Sequence, residues 1–124
     1  MDFKIGVIVN SFRLSIPEGI KKAAEVGAEG IQIYASRGEM HPDNLTPAKR
    51  KELLDMIKSH GLVVSALVGD FGHPGFCDPS LNPKRIEDSK KVMDLAKDLE
   101  TDVVTTHIGA VPDDDTSDRW KTMQ

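Results

Sequence analysis

Histidine and carboxylate side chains stand where apolar runs of this sequence stop. His107 closes Asp102-Val103-Val104-Thr105-Thr106 and precedes Ile108-Gly109. An imidazole at such a boundary can ligate a metal, bond a substrate hydroxyl or carry a proton. The alternative is a ring bonded only to nearby backbone. Asp70 follows Leu62-Val63-Val64-Ser65-Ala66-Leu67-Val68-Gly69. Its carboxylate can bind a hydroxyl or orient an imidazole, or it can serve its own turn as an acceptor. His73 and Phe76 share the glycine-rich segment that continues from Asp70, while Asn10 and Tyr34 end two earlier apolar runs.

Other candidates have plainer readings. His60 precedes Gly61 at an expected helix C-terminus, where an imidazole suits the dipole. His41, beside Pro42, is expected on the surface. Asp113-Asp114-Asp115 reads as a solvated loop or helix entry, because consecutive acids point in different directions. Cys77 carries no signal of reactivity, and Trp120 is expected to pack a short last helix. Gly69, Gly72 and Gly75 do not form a phosphate loop, since the Gly-Lys-Ser/Thr ending is missing. A metal site takes three or four ligands, and His107 is the one strong candidate here.

Composition narrows the classes. The chain has 124 residues, a formal charge of −4, 39% hydrophobic and 29% charged residues. That is the balance of an ordinary globular domain. The acidic charge argues against nucleic-acid or anionic-membrane binding, and an aromatic fraction of 5% against a base-stacking platform. No apolar run approaches the roughly 20 residues of a membrane helix, and the opening Met1-Asp2-Phe3-Lys4 does not resemble a secretory signal. The single Cys77 cannot form an internal disulfide, so a cytoplasmic location is expected.

The elements that must position these residues alternate. Strands are expected over Lys4–Asn10, Gly30–Tyr34, Leu62–Val68 and Asp102–His107. The continuous apolar first strand is expected to be covered on both faces. Ser15-Ile16-Pro17-Glu18 spells a capping box ahead of Ile20, Ala23, Ala24 and Val26, with Gly27 as the stop. Thr46-Pro47 opens a second helix carrying Leu53, Leu54 and Ile57 and ending at Gly61. Asn82-Pro83 opens a third, with Ile86, Val92, Met93, Leu95, Ala96 and Leu99 as core candidates. A fourth helix is barely begun before Gln124.

This order implies an α/β fold with a parallel sheet, in one domain over residues 1–124 made of four βα units. Two architectures share it: the N-terminal half of a TIM barrel, whose whole takes about 250 residues, or a flavodoxin-like doubly wound sheet. A half-barrel leaves its inner sheet face and two edges open, so self-association through either is expected.

Several segments carry a family resemblance. They are Lys4-Ile5-Gly6-Val7 with Asn10-Ser11-Phe12, Gly27-Ala28-Glu29-Gly30-Ile31-Gln32-Ile33-Tyr34, Ser65-Ala66-Leu67-Val68-Gly69-Asp70-Phe71-Gly72 with Gly75-Phe76, and Thr106-His107-Ile108-Gly109 with Pro112. Together they resemble the N-terminal half of the xylose isomerase-like TIM barrel superfamily, in its sugar phosphate isomerase/epimerase group. The resemblance implies a barrel enzyme that binds a divalent metal (Mn, Mg, Co or Zn). Such an enzyme moves a proton between adjacent carbons of a small sugar or sugar phosphate, giving aldose–ketose isomerisation or epimerisation. It implies that the main metal ligands, two glutamates, an aspartate and a histidine, belong to later strands beyond Gln124. The chain alone would then hold metal weakly and be inactive or nearly so.

By the same resemblance, His107 matches a pocket histidine of the fourth strand, which is a zinc ligand in the related endonuclease IV enzymes. Ile108 replaces the proline usual there, which favours the sugar-enzyme branch. Glu100 replaces a usual helix-ending glycine. His107 is thus the catalytic candidate and a possible metal ligand; Asn10, Tyr34, Asp70, His73 and Phe76 are substrate-binding candidates. The rival reading is a non-catalytic half-barrel or flavodoxin-like module that binds a partner or itself.

Overall fold

The computed structural model describes residues 3–124. In chain order these form β1 (Gly6–Ile8), a 3-10 turn (Val9–Phe12), α1 (Ile16–Glu25) and β2 (Gly30–Tyr34). Two further 3-10 turns (Gly38–Met40 and Pro42–Asn44) lead to α2 (Pro47–Ser59) and β3 (Val63–Val68). Then come α3 (Asn82–Asp98), β4 (Val104–Thr105) and α4 (Asp118–Met123).

The sheet is parallel throughout, in the order β1-β2-β3-β4. A sequential order with crossovers of one hand stacks the helices on one sheet face. A flavodoxin-like sheet reverses its strand order part-way and places helices on both faces, so that alternative is corrected. The buried residues agree. Ile20 and Ala23 of α1, Ile57 of α2, and Val92, Leu95 and Leu99 beside Ile31, Ile33, Val64 and Leu67 of the strands make one core. The chain is an unclosed half-barrel.

Local chemistry sets the helix limits. Ser15 Oγ accepts from Glu18 N–H while the Glu18 carboxylate accepts from Ser15, which completes the capping box of α1. Thr46 Oγ1 accepts from Lys49 N–H at the start of α2. All three long helices end alike. The N–H groups of Ala28, Leu62 and Thr101 donate back to the carbonyls of Ala23, Ile57 and Ala96, after a left-handed residue. That residue is Gly27 (φ +81°), then Gly61 (φ +74°), but Glu100 (φ +58°) after α3.

Several expectations need correction. β1 is covered on one side only: Val9 is buried beyond its end, while Ile8 is 38% exposed on the open face. The chain leaves extended geometry at Val9 because the following turn packs under α1. There a Cβ on Gly19 would lie 2.5 Å from Val9 Cγ1. Val26, Ile86 and Met93 are exposed rather than core. The last two stand seven apart on α3, on the side away from the face that Val92, Leu95 and Leu99 bury. Asn82 is the first residue of α3 rather than its cap, and its carboxamide donates to Phe76 O at 3.1 Å. His41 is half-buried, its Nδ1 accepting from Asp43 N–H.

The open face is concave. Ser65 is an extra residue in β3, where Val64 pairs with Ile31 and Ala66 with Gln32; its hydroxyl donates to Ile31 O at 3.0 Å. Gln32 of β2 donates from Nε2 to Thr105 Oγ1 of β4 at 3.1 Å, across β3. Two strand spacings amount to roughly 9.6 Å, which these side chains bridge because the sheet curls. Side chains of alternate strands meeting over the one between is how barrel interiors are layered.

Candidate functional site

The strand tips carry two side-chain pairs. At β1 and β2, Asn10 Oδ1 accepts the backbone N–H of Tyr34 at 2.9 Å. Arg37 lies over the Tyr34 ring, 5.5 Å from its centroid, at a distance suited to cation–π attraction. At β3 and β4, Asp70 Oδ2 lies 2.8 Å from His107 Nδ1. Asp70 Oδ1 accepts from Gly72 N–H at 2.9 Å. This carboxylate thus closes its own turn and bonds an imidazole at once.

The electrostatics follow. The Gly72 amide above all, then the His107 ring and the Arg37 guanidinium, hold the Asp70 carboxyl below the ordinary carboxylate range, against its partial burial. Asp70 is 19% exposed and His107 is 80% exposed. With Nδ1 committed to the carboxylate, Nε2 is the ring's open nitrogen.

The loop between β3 and α3 is locked onto the segment after β4. Phe76 N–H donates to Ile108 O at 2.8 Å. Gly75 and Gly109 both have positive φ, and each packs its Cα onto the other segment. A Cβ on Gly109 would lie 2.5 Å from Pro74 O, and one on Gly75 would collide with the backbone of Ile108 and Gly109. The fit requires glycine twice.

These contacts shape a cavity of about 280 Å³ lined by Asp70, His73, Pro74 and His107 with Gly72, Gly75 and Gly109. So Asp70, His73 and His107 line one cavity, and of the three side chains only Asp70 and His107 are bonded to each other. Asn10 and Tyr34 pair with each other at the neighbouring tips, outside this lining, and Phe76, although part of the loop, is not in the lining either. A larger cleft of about 410 Å³ opens between α1 and α2 around Ile16, Met40, Leu53 and Met56. Its Glu39 is spent on the N–H of Ile16, and it holds no histidine–carboxylate pair.

Sequence reasoning passed over two arginines. Arg37 follows Tyr34 at a strand tip and was visible by position. Arg85 is only 9% exposed, with its guanidinium donating to Gly72 O (2.9 Å) and His73 O (3.2 Å). The signal for Arg85 was its spacing of 3, 7 and 10 residues from Asp88, Val92 and Leu95, the buried side of α3.

Among the described residues, no group of three or more His, Cys, Asp or Glu converges as a metal site. His107 and Asp70 make two donors, with both Asp70 oxygens already bonded, so the residues present do not form a complete metal centre. No described helix is long and apolar enough to cross a membrane.

The family model described as xylose isomerase-like TIM barrel matches residues 20–124. The chain belongs to that family. No curated protein matches it. Among solved structures, it is similar to a xylose isomerase domain protein from Planctomyces limnophilus, at 18% identity and TM-score 0.77, covering 98% of this chain and 46% of that one. D-psicose 3-epimerase from Clostridium cellulolyticum H10, solved with D-tagatose, aligns at 15% identity and TM-score 0.73, covering 98% and 45%. A sugar phosphate isomerase/epimerase from Parabacteroides distasonis ATCC 8503 aligns at 19% identity and TM-score 0.61, covering 96% and 43%. At these identities the likeness is one of fold. This family member spans less than half the length of the solved structures it matches.

Proposed function

We propose that the β3–β4 tips form part of the pocket of a sugar or sugar phosphate isomerase or epimerase, which shifts a proton between adjacent carbons. The observation that carries this reading is the Asp70–His107 pair, 2.8 Å apart beside a cavity at the strand ends, where barrel enzymes of every chemistry place their reacting groups. Asp70 fixes the imidazole, so that Nε2 meets a substrate hydroxyl or carbonyl oxygen in one orientation. His73 stands on the same wall, and Asn10, Tyr34 and Arg37 continue the rim toward β1. Arg37 supplies the positive charge that a phosphate substituent needs. The sugar-acting neighbours and the family favour this substrate class. A divalent metal belongs to the family resemblance, but the two donors here do not complete its site, and no step is assigned to it. A single free thiol suits a reducing, cytoplasmic setting.

The test is calorimetry and turnover with the purified chain, Mn²⁺ or Co²⁺, and a panel of ketoses and their phosphates. The expected result is weak binding, abolished in Asp70→Asn and His107→Ala, with little or no turnover. Absence of any binding would overturn the sugar-site reading, and robust turnover would overturn the claim that the ligand set is incomplete.

A second reading, self-association, is favoured by the open sheet face, where Ile8, Val63 and Val103 are exposed. Two copies supply eight strands. Sedimentation as a dimer supports it; a monomer at high concentration removes it.

A further inference from the structure

Arg85 breaks two local rules. It is a cation in the first turns of α3, where the helix dipole disfavours positive charge. Its guanidinium is buried, yet among the described residues no carboxylate lies within ion-pair distance of it. Burying a charge without an opposite partner is costly. Its hydrogen bonds go to two loop carbonyls, Gly72 O and His73 O, and the Asp78 carboxylate, beyond ion-pair distance, is the acid that feels its charge. Residues that violate local rules in this way concentrate at functional sites.

Those carbonyls are one bond-chain away from the imidazole. Gly72 is held from both sides, its carbonyl by Arg85 and by the Gly75 N–H (3.0 Å), its own N–H by Asp70 Oδ1. The other Asp70 oxygen holds His107 Nδ1. Gly72 also has φ +82°, a conformation glycine leaves freely unless something pins it. Asp70 and His107 sit at the ends of different strands, so their alignment depends on where the loop places the carboxylate.

We propose that Arg85 is a positioning residue: its planar fork clamps the Gly72–His73 backbone and thereby fixes Asp70 so that His107 presents one tautomer, with Nε2 open. The functional meaning of this clamp rests on the sugar-site reading above; the clamp itself does not. Lysine cannot replace it, because an ammonium is a point donor and two neighbouring carbonyls match a fork.

The experiment is long-range ¹H–¹⁵N NMR of the His107 ring, with amide exchange at Gly72, in the full chain. At a pH where the ring is neutral, the wild type is expected to show the proton on Nδ1. Arg85→Met is expected to give a mixture of tautomers and to speed Gly72 exchange about tenfold or more. Arg85→Lys should restore the exchange rate only in part and leave the tautomers mixed. Unchanged tautomer and unchanged Gly72 protection in Arg85→Met overturn the proposal. If that variant does not fold, the wild type decides: resolved, slowly exchanging Arg85 guanidinium protons are expected, and one averaged signal contradicts the clamp. If sugars fail to bind while the tautomer responds to Arg85, the sugar-site reading falls and the clamp stands.

Discussion

The two halves of the strand-tip rim use similar residues for different ends. At β1 and β2, Asn10 spends its carboxamide oxygen on the backbone N–H of Tyr34. That bond ties one strand end to the next and leaves little for a ligand. At β3 and β4, Asp70 spends its carboxylate on a neighbouring side chain, the exposed His107 ring. That bond leaves a ring nitrogen available. A polar residue at a strand end becomes a chemical group only when its partner has a second, free atom.

The contrast makes separable predictions. The largest effect is expected at the glycine interlock of the β3–β4 half. Gly75→Ala combines positive φ with a backbone collision, so it should cost at least about 3 kcal/mol by urea unfolding and abolish ligand binding with it. At the β1–β2 half, Asn10→Ala strands the Tyr34 N–H and should cost about 1–2 kcal/mol. Ligand affinity should fall as well, but less than in Asp70→Asn, since Asn10 reaches the ligand only through the Tyr34–Arg37 side of the rim. Asp70→Asn should do the reverse: small loss of stability, large loss of binding.

Acid sharpens the same comparison. The Asp70 carboxyl is held below its ordinary value, so its contribution to stability is fully present above the ordinary aspartate range. It is lost as pH falls through the lowered value. NMR at falling pH should show the Asp70–Gly72–His107 bonds parting there, while the uncharged Asn10–Tyr34 bond persists. The smallest effect concerns a helix end. Glu100 holds the left-handed position that Gly27 and Gly61 occupy elsewhere. Glu100→Gly relieves that strain but loses an exposed ion pair with Lys58. A net gain of about 0.5–1 kcal/mol in unfolding free energy is expected.

Much of the architecture was legible because its signals are local. β2 lies where the apolar run Gly30–Tyr34 placed it, and α1 and α2 begin at Ser15 and Thr46 and stop before Gly27 and Gly61 as their caps require. Features set by pairing were not legible. The extra residue at Ser65 exists only in relation to β2. β4 shrinks to Val104–Thr105 because it pairs with β3 alone among the described strands. Ile86 and Met93 read as core because apolarity does not tell which side of a helix faces the sheet. At the rim, strand ends located His107 and Asp70, but not that they bond each other across 37 residues. Arg85 stayed hidden because a buried cation inside a helix looks like any solvated one until the loop folds back on it.

The most direct test of the β3–β4 rim is a ¹⁵N chemical-shift titration of the chain with a ketose phosphate. Shifts confined to residues 70–75 and 107–109, with the Arg37 side chain, are predicted, and Asp70→Asn should erase them. Shifts clustered in the cleft between α1 and α2, or an unchanged spectrum at saturating ligand, would contradict the assignment.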